Sequence, residues 1–396
     1  MFRRIFSGWF TLPQVSMWEG FFSRLLFAIL LIFTIRFQVA ETGEPNPVGL
    51  LTLLHKMDAH QNWLTWLADA QTWTVYKGIF IALLAVYVSG YGLPLVLPVL
   101  AVMHLLPFTL YDSQGFTHHG NQIVTCTIII QAGAVWWSCL LRRFSMQAPD
   151  EKLRAWMLVQ AQVILTGMYF ISAITKMVNS GGMWWWNSNN VALDMIKTQR
   201  QSYLNHLAPE YAGTPPEALW MLQHVWIARL CFTSGLFLEA ACILGIGNRW
   251  LGFIMGVSLI AMHRSIDRLM GGLSFLYNEL LALIFLVGVP YMLACLLERV
   301  KNETVRVGII MGVGVGILSS YWMVKYGIQT ADSHALTSQG AYLLFLVKQL
   351  ETWNSLEWKD WAASLYFVTP AVLCAAVGGV IGAFVSPWIY PRALEK

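Results

Sequence analysis

Charge is what this sequence has least of. Only 12% of its 396 residues are Asp, Glu, Lys or Arg, while 57% are hydrophobic. Soluble domains carry about 25% charged residues, so a soluble fold is excluded and the chain reads as an integral membrane protein. Basic runs are missing as well. The net charge of +4 is spread along the loops, which argues against a nucleic-acid surface or partner. The few cysteines (Cys126, Cys139, Cys231, Cys242, Cys295 and Cys374) all lie in apolar runs without a Cys-x-x-Cys pair. Neither a disulfide framework nor a zinc site is signalled, and no metal is expected. No repeat at a fixed period and no low-complexity linker divides the chain. The polar leader is too long for a signal peptide and Arg24 interrupts the first apolar run, so an uncleaved first span is expected.

Long apolar runs are what the sequence has in abundance. About ten of them approach the roughly 20 residues needed to cross a bilayer. They lie near 20–39, 75–91, 93–111, 122–141, 155–178, 218–246, 250–270, 273–297, 305–326 and 363–388. The expected fold is all-α, a polytopic transmembrane helical bundle of about 9–10 spans. The second and third runs are parted only by a turn around Gly90, Gly92 and Pro94. Residues 45–74 are amphipathic and rich in tryptophan, which suits a helix lying in the membrane interface. Gly308, Gly312 and Gly316, and later Ala375, Gly378, Gly379 and Gly382 after Pro370, provide small residues for close helix approach.

Lysine and arginine in the short loops set the expected orientation. Arg3 and Arg4, the group Arg142, Arg143, Lys152 and Arg154, then Arg249, then Arg299, Lys301 and Arg306, and finally Arg392 and Lys396 share one side under ten crossings. Both termini are then cytoplasmic, in an inner (plasma) membrane. The loops 40–74, 112–121, 179–217 and 327–362 are then outside.

The strongest chemical hint is the run from Ala155 to Asn190. Gln162, Thr166, Tyr169, Ser172 and Lys176 follow at helical spacing and fall on one stripe. Polar groups inside a lipid-length segment must face protein or water, because hydrocarbon offers no partners. Lys176 lies near the end of this helix and has two readings. It is a lysine snorkelling to the interface, or one held partly dry that can lose its proton and act as a base. His263 and Asp267 stand one turn apart, with Arg264 and Arg268 beside them. They form either a carboxylate–imidazole pair or an ordinary charged helix end with internal ion pairs. His118 and His119 share a short polar turn. Arg229 and Glu239 stand about 15 Å apart on their helix, so each needs a partner from elsewhere, and Glu279 is a candidate for Arg229. Trp184, Trp185 and Trp186 suit an interfacial aromatic belt.

Four pieces of sequence then occur in a telling order: FTHHGNQI, YFISAITKM followed by WWW, LFLEAACIL, and MHRSIDRLMGGLSFLYNELLALIF. Over roughly residues 15–300 the chain thereby resembles the HTTM superfamily, whose best-known members are the vitamin K-dependent gamma-carboxylases. The resemblance implies a carboxylase-like transmembrane domain over 1–300, with 301–396 adding further helices to the same bundle. It implies that Lys176 is the catalytic lysine, that His119 (or His118 under a one-residue shift) supports the chemistry, and that His263 and Glu239 match family positions. Reduced quinone is the implied cofactor, with Tyr169, Ser172, Trp184 and Glu239 around it, and a carboxylase-like or oxygenase-like reaction is expected at the outer face. Lys176, His119 and His263 should converge on one cavity. The chain departs from the family in having Thr175 where a first lysine stands, in carrying WWWNSNN where Trp-x-x-Gly is usual, and in ending at its last span. The last departure leads to the expectation of a shorter, bacterial-type relative. Such relatives include proteins that help mature or export secreted peptides, so a non-catalytic peptide partner is the alternative function.

Overall fold

The computed structural model describes residues 12–35, 69–113, 119–142, 148–207, 212–270 and 275–301, with Val305 and Gly308 besides. The chain divides into two compact units, Met1–Ala294 and Cys295–Lys396. The runs expected at 305–326 and 363–388, the loop 327–362 and most of the amphipathic segment lie outside the described residues.

Among the described residues the first unit is helical throughout, without a strand. Its helices are α1 (Met17–Thr34), α2 (Ala70–Ser89), α3 (Leu93–Ser113), α4 (His119–Arg142), α5 (Glu151–Asn179), the single turn α6 (Trp184–Asn187), α7 (Val191–His206), α8 (Pro216–Gln223), α9 (Val225–Ala241), α10 (Arg249–Met270) and α11 (Leu276–Ala282). A π-helical turn, Leu283–Val287, links α11 to α12 (Val289–Glu298). Among the described residues five helices are long and apolar enough to cross a membrane, or six if the pair Leu276–Val287 and Val289–Glu298, bent by 48°, is one span. Every apolar run expected within the described residues is thus helical, but the bent eighth run and three others differ in form. The third run, Leu93–Thr109, is a shorter apolar helix with Pro98 and Pro107 inside it. The sixth is divided at His224 into α8 and α9. The seventh, α10, has spanning length but carries His263, Arg264 and Asp267 near its end and is not among the five.

Local chemistry explains the boundaries. Ser16, Asp69 and Asp150 cap α1, α2 and α5, each side chain accepting from a backbone N–H three residues on. At Asp69, outside the span, those hydrogen bonds hold the carboxyl below its ordinary range. α2 begins at Ala70, so residues 70–74 belong to it and not to an interfacial segment. The turn between α2 and α3 closes on Gly90, whose φ of 85° few L-residues adopt.

Two opposite ends of the bundle can be defined by contacts. At the first, Arg249 forms an ion pair with Glu19 at 2.7 Å, Arg154 Nε donates to the Val15 carbonyl at 3.0 Å, and Arg24 Nε donates to the Val88 carbonyl at 3.2 Å. The starts of α1, α5 and α10 and the end of α2 meet there. At the far end, the start of α4 packs on α11, where a Cβ on Gly120 would come within 3.1 Å of Asn278 Oδ1. Between the ends, Phe27, Phe80, Tyr87, Leu97, Ile128 and Leu165 are fully buried in the main core.

The stretch 179–217 is more than an outer loop. It folds into α6, α7 and α8, and Ala192, Met195, Ala218 and Met221 bury against Ala228 of α9 in a small core of their own. This apolar set was available to read in the sequence, but its short helices fall below the length that marks a span.

Candidate functional site

The polar stripe of α5 turns inward, as its spacing requires. Gln162, Thr166 and Tyr169 are buried, Ser172 and Lys176 half-buried. Its lower part is structural. Gln162 Nε2 donates to the Phe285 carbonyl at 2.8 Å, and its Oε1 accepts from the Gly247 N–H at 2.9 Å. One amide thus satisfies two backbone groups that helix breaks leave open, at the π turn and at the turn into α10.

Two clusters form above it. In the first, Lys176 Nζ lies 2.6 Å from each carboxylate oxygen of Glu239, and 5.6 Å from the centre of the Trp184 ring. Glu239 is 7% exposed, so its charge has left water and needs this partner. In the second, Asn278 Nδ2 donates to Tyr169 Oη at 3.1 Å, and Tyr169 Oη lies 3.1 Å from His263 Nε2. The tautomer of His263 sets the direction of this bond: where Nε2 accepts the tyrosine hydrogen, a neutral imidazole carries its own hydrogen on Nδ1. That Nδ1 is buried without a partner, as is Asn278 Oδ1. Phe275 stacks on the imidazole, with ring centres 4.4 Å apart and planes 5° from parallel. Cys242 Sγ lies 2.9 Å from the Glu239 carbonyl and 3.3 Å from the Thr166 carbonyl of α5, and its single hydrogen serves one or the other.

Several expectations are corrected. His263 does not pair with Asp267: Tyr169 takes its Nε2, while Asp267 Oδ1 is buried without a partner. A residue from another helix reaches the ring across the interface and wins over the neighbour one turn on. Glu279 pairs with Arg264, not with Arg229. Arg229 instead donates to the Trp186 carbonyl and sits over the Trp186 ring. Lys176, its side chain 31% exposed, is held by Glu239.

Of the expected site residues, the structure brings together Lys176, Glu239 and Trp184, and separately Tyr169 and His263, with Ser172 between them on the stripe. His119 opens α4, next to Gly120 and hence near Asn278; its side chain, and all of His118, lie outside the described residues. Three residues escaped the sequence reading. Asn278 and Phe275 stand in the quoted piece LSFLYNELL, but only the fold shows that they face His263. His104, a lone histidine in an apolar run, is buried between Thr34 Oγ1 at 2.8 Å and Thr125 Oγ1 at 2.9 Å. Among the described residues no group of three His, Cys, Asp or Glu side chains is placed to hold a metal ion.

Fold and site together define a helical membrane protein with a half-buried lysine–glutamate pair beside an aromatic, histidine-lined cluster. No family model, curated protein or solved structure matches the chain.

Proposed function

We propose that the chain is a relative of the HTTM and vitamin K-dependent gamma-carboxylase group that takes a reduced quinone from the membrane and works on it near Lys176, at the extracytoplasmic face. The reading is carried by one observation: the Lys176 amine lies 2.6 Å from a carboxylate that can accept its proton. Moving that proton to Glu239 leaves a neutral amine and a neutral acid. The free amine is then a base that needs no solvent.

The neighbouring residues fit a flat ring bearing oxygen. In the tautomer whose Nε2 accepts from Tyr169, the unpartnered Nδ1–H of His263 can donate to a quinone oxygen, and Phe275 and Trp184 offer apolar faces. When bound, a reduced quinone supplies a phenolic proton and two reducing equivalents. The chain's own part is narrower. Lys176 receives a proton at Nζ, Glu239 holds the one it gave up, and Tyr169 and Asn278 fix the His263 ring.

A second reading rests on the same pair. An ammonium gripped by both oxygens of a carboxylate can also be a fixed tie between α5 and α9, with the cluster serving to bind a secreted peptide during its maturation or export.

The test is turnover of reduced quinone by the purified full chain in lipid, for the wild type, Lys176→Ala and Lys176→Arg. General-base catalysis contributes on the order of 10²–10⁴-fold, so Lys176→Ala should lose turnover by about that factor while still folding. Lys176→Arg should fail equally, since a guanidinium keeps its proton in proteins. Full turnover by Lys176→Arg would end the base role. Wild type without turnover would leave the peptide-partner reading.

A further inference from the structure

The start of α9, at the far end of the bundle, carries a cation held by aromatic rings. Lys176, Arg249 and Arg264 each meet a carboxylate. Arg229 meets none among the described residues. Its Nε donates to the Trp186 carbonyl at 2.8 Å and lies 3.4 Å from Asn189 Oδ1. The guanidinium carbon stands 3.7 Å above the Trp186 ring and 4.9 Å from the Trp226 ring, in the corner those indoles form edge to face. With Nε spent on the protein, the terminal amino groups remain for something else.

The depth of this corner says what that is. The apolar span of α9 begins at Val225, so Arg229 stands one turn inside it, at the level where hydrocarbon gives way to headgroups. An arginine there usually stretches outward to water. This one is fixed against the Trp186 carbonyl and two indoles by the helix start, so its counter-ion must come to it. Around it lies an exposed apolar collar of Trp185, Trp220, Trp226 and Leu230. Indoles favour the membrane boundary, and a planar guanidinium matches two phosphate oxygens at once.

We infer that Arg229, held by Trp186 and Trp226, binds the phosphodiester of a membrane phospholipid whose acyl chains lie along the exposed collar. The inference is independent of any chemistry at Lys176. It commits to a lipid because the collar is apolar; a free anion would gain nothing from it.

The experiment uses the full chain, stripped of lipid in detergent. Its melting temperature and its retained ligand by native mass spectrometry are measured with four probes: phosphatidylglycerol, phosphatidylcholine, diacylglycerol of the same chains, and inorganic phosphate. Both phospholipids should raise the melting temperature and stay bound; diacylglycerol and inorganic phosphate should do neither. In Arg229→Gln the phospholipid retention should weaken about tenfold, as loss of a charged hydrogen bond implies, with quinone turnover unchanged. An equal shift with diacylglycerol would mean that only the apolar collar matters, and an equal response to inorganic phosphate would mean an adventitious anion site. Either result overturns the inference, as does full retention by Arg229→Gln. Should that variant fail to fold, phenylglyoxal labelling of the wild type decides. Arg229 should be modified in stripped protein and protected by phospholipid but not by diacylglycerol, and labelling that phospholipid leaves unchanged refutes the site.

Discussion

Glu239 shows how one residue can serve fold and chemistry together. Both of its oxygens face Lys176, and almost none of it reaches solvent, so removing its charge leaves the lysine without its counter-charge. Glu239→Gln keeps the shape and one acceptor oxygen. Its unfolding free energy should therefore fall by about 1–3 kcal/mol, the range for a hydrogen bond to a charged group, measured by denaturation in detergent. Replacing both partners by apolar residues, Lys176→Met with Glu239→Leu, should recover much of that loss while abolishing turnover. If Glu239→Gln costs nothing, the pair is not the tie described here. Sequence spacing marked Lys176 and Glu239 separately, because each is a charge at membrane depth. It could not pair them, since they lie 63 residues apart and the pairing depends on how α9 leans on α5. The same gap explains His263, where Asp267 one turn away was the visible partner and Tyr169 across the interface is the real one.

At the scale of elements, the place where α10 meets the π turn sets the geometry beneath the site. A Cβ on Gly256 would stand 2.9 Å from Leu286 Cβ, 2.9 Å from Val287 Cγ2 and 3.0 Å from the Val287 nitrogen. Backbone cannot yield there cheaply, because the neighbouring Phe285 carbonyl is held by Gln162. Gly256→Ala should therefore destabilise the protein by about 1–3 kcal/mol through overpacking, although alanine is the better helix former. Gly167→Ala is the control. Nothing lies within 4 Å of its added methyl, so it should be neutral or gain up to about 1 kcal/mol from helix propensity. Matching melting curves for the two variants would refute the close contact. Helix positions were legible from apolar length alone, as α5 and its capping Asp150 illustrate. The break at His224, the bend at Gly288 and the π turn were not. Those depend on which neighbour supplies partners for the freed backbone groups, and hydropathy does not carry that information.

For the molecule as a whole, the two ends differ in the chemistry that a bilayer sorts. The first end gathers Arg24, Arg154 and Arg249 around Glu19 and nearby carbonyls. Tryptophans stand at both ends, Trp18, Trp156 and Trp250 at the first and those of α6, α8 and α9 at the far one, so the arginines tell the ends apart. Short basic loops stay on the cytoplasmic side, so the first end should face the cytoplasm, with the site clusters in the half of the bundle that faces out. The alternation of α1, α2, α5, α9 and α10 between the ends makes this one decision: fixing a single loop fixes all of them. Ala148, just before α5, and Gly213, just before α8, are exposed at opposite ends. In a full chain whose native cysteines have been replaced, Gly213→Cys should react with a membrane-impermeant maleimide on intact cells. Ala148→Cys should react only after the membrane is opened. The reverse pattern would turn the bundle over and place the Lys176 cluster on the cytoplasmic side, removing a secreted peptide as its substrate or partner. Labelling of both positions from one side would break the alternation itself, and with it the assignment of α5 and α9 as antiparallel spans.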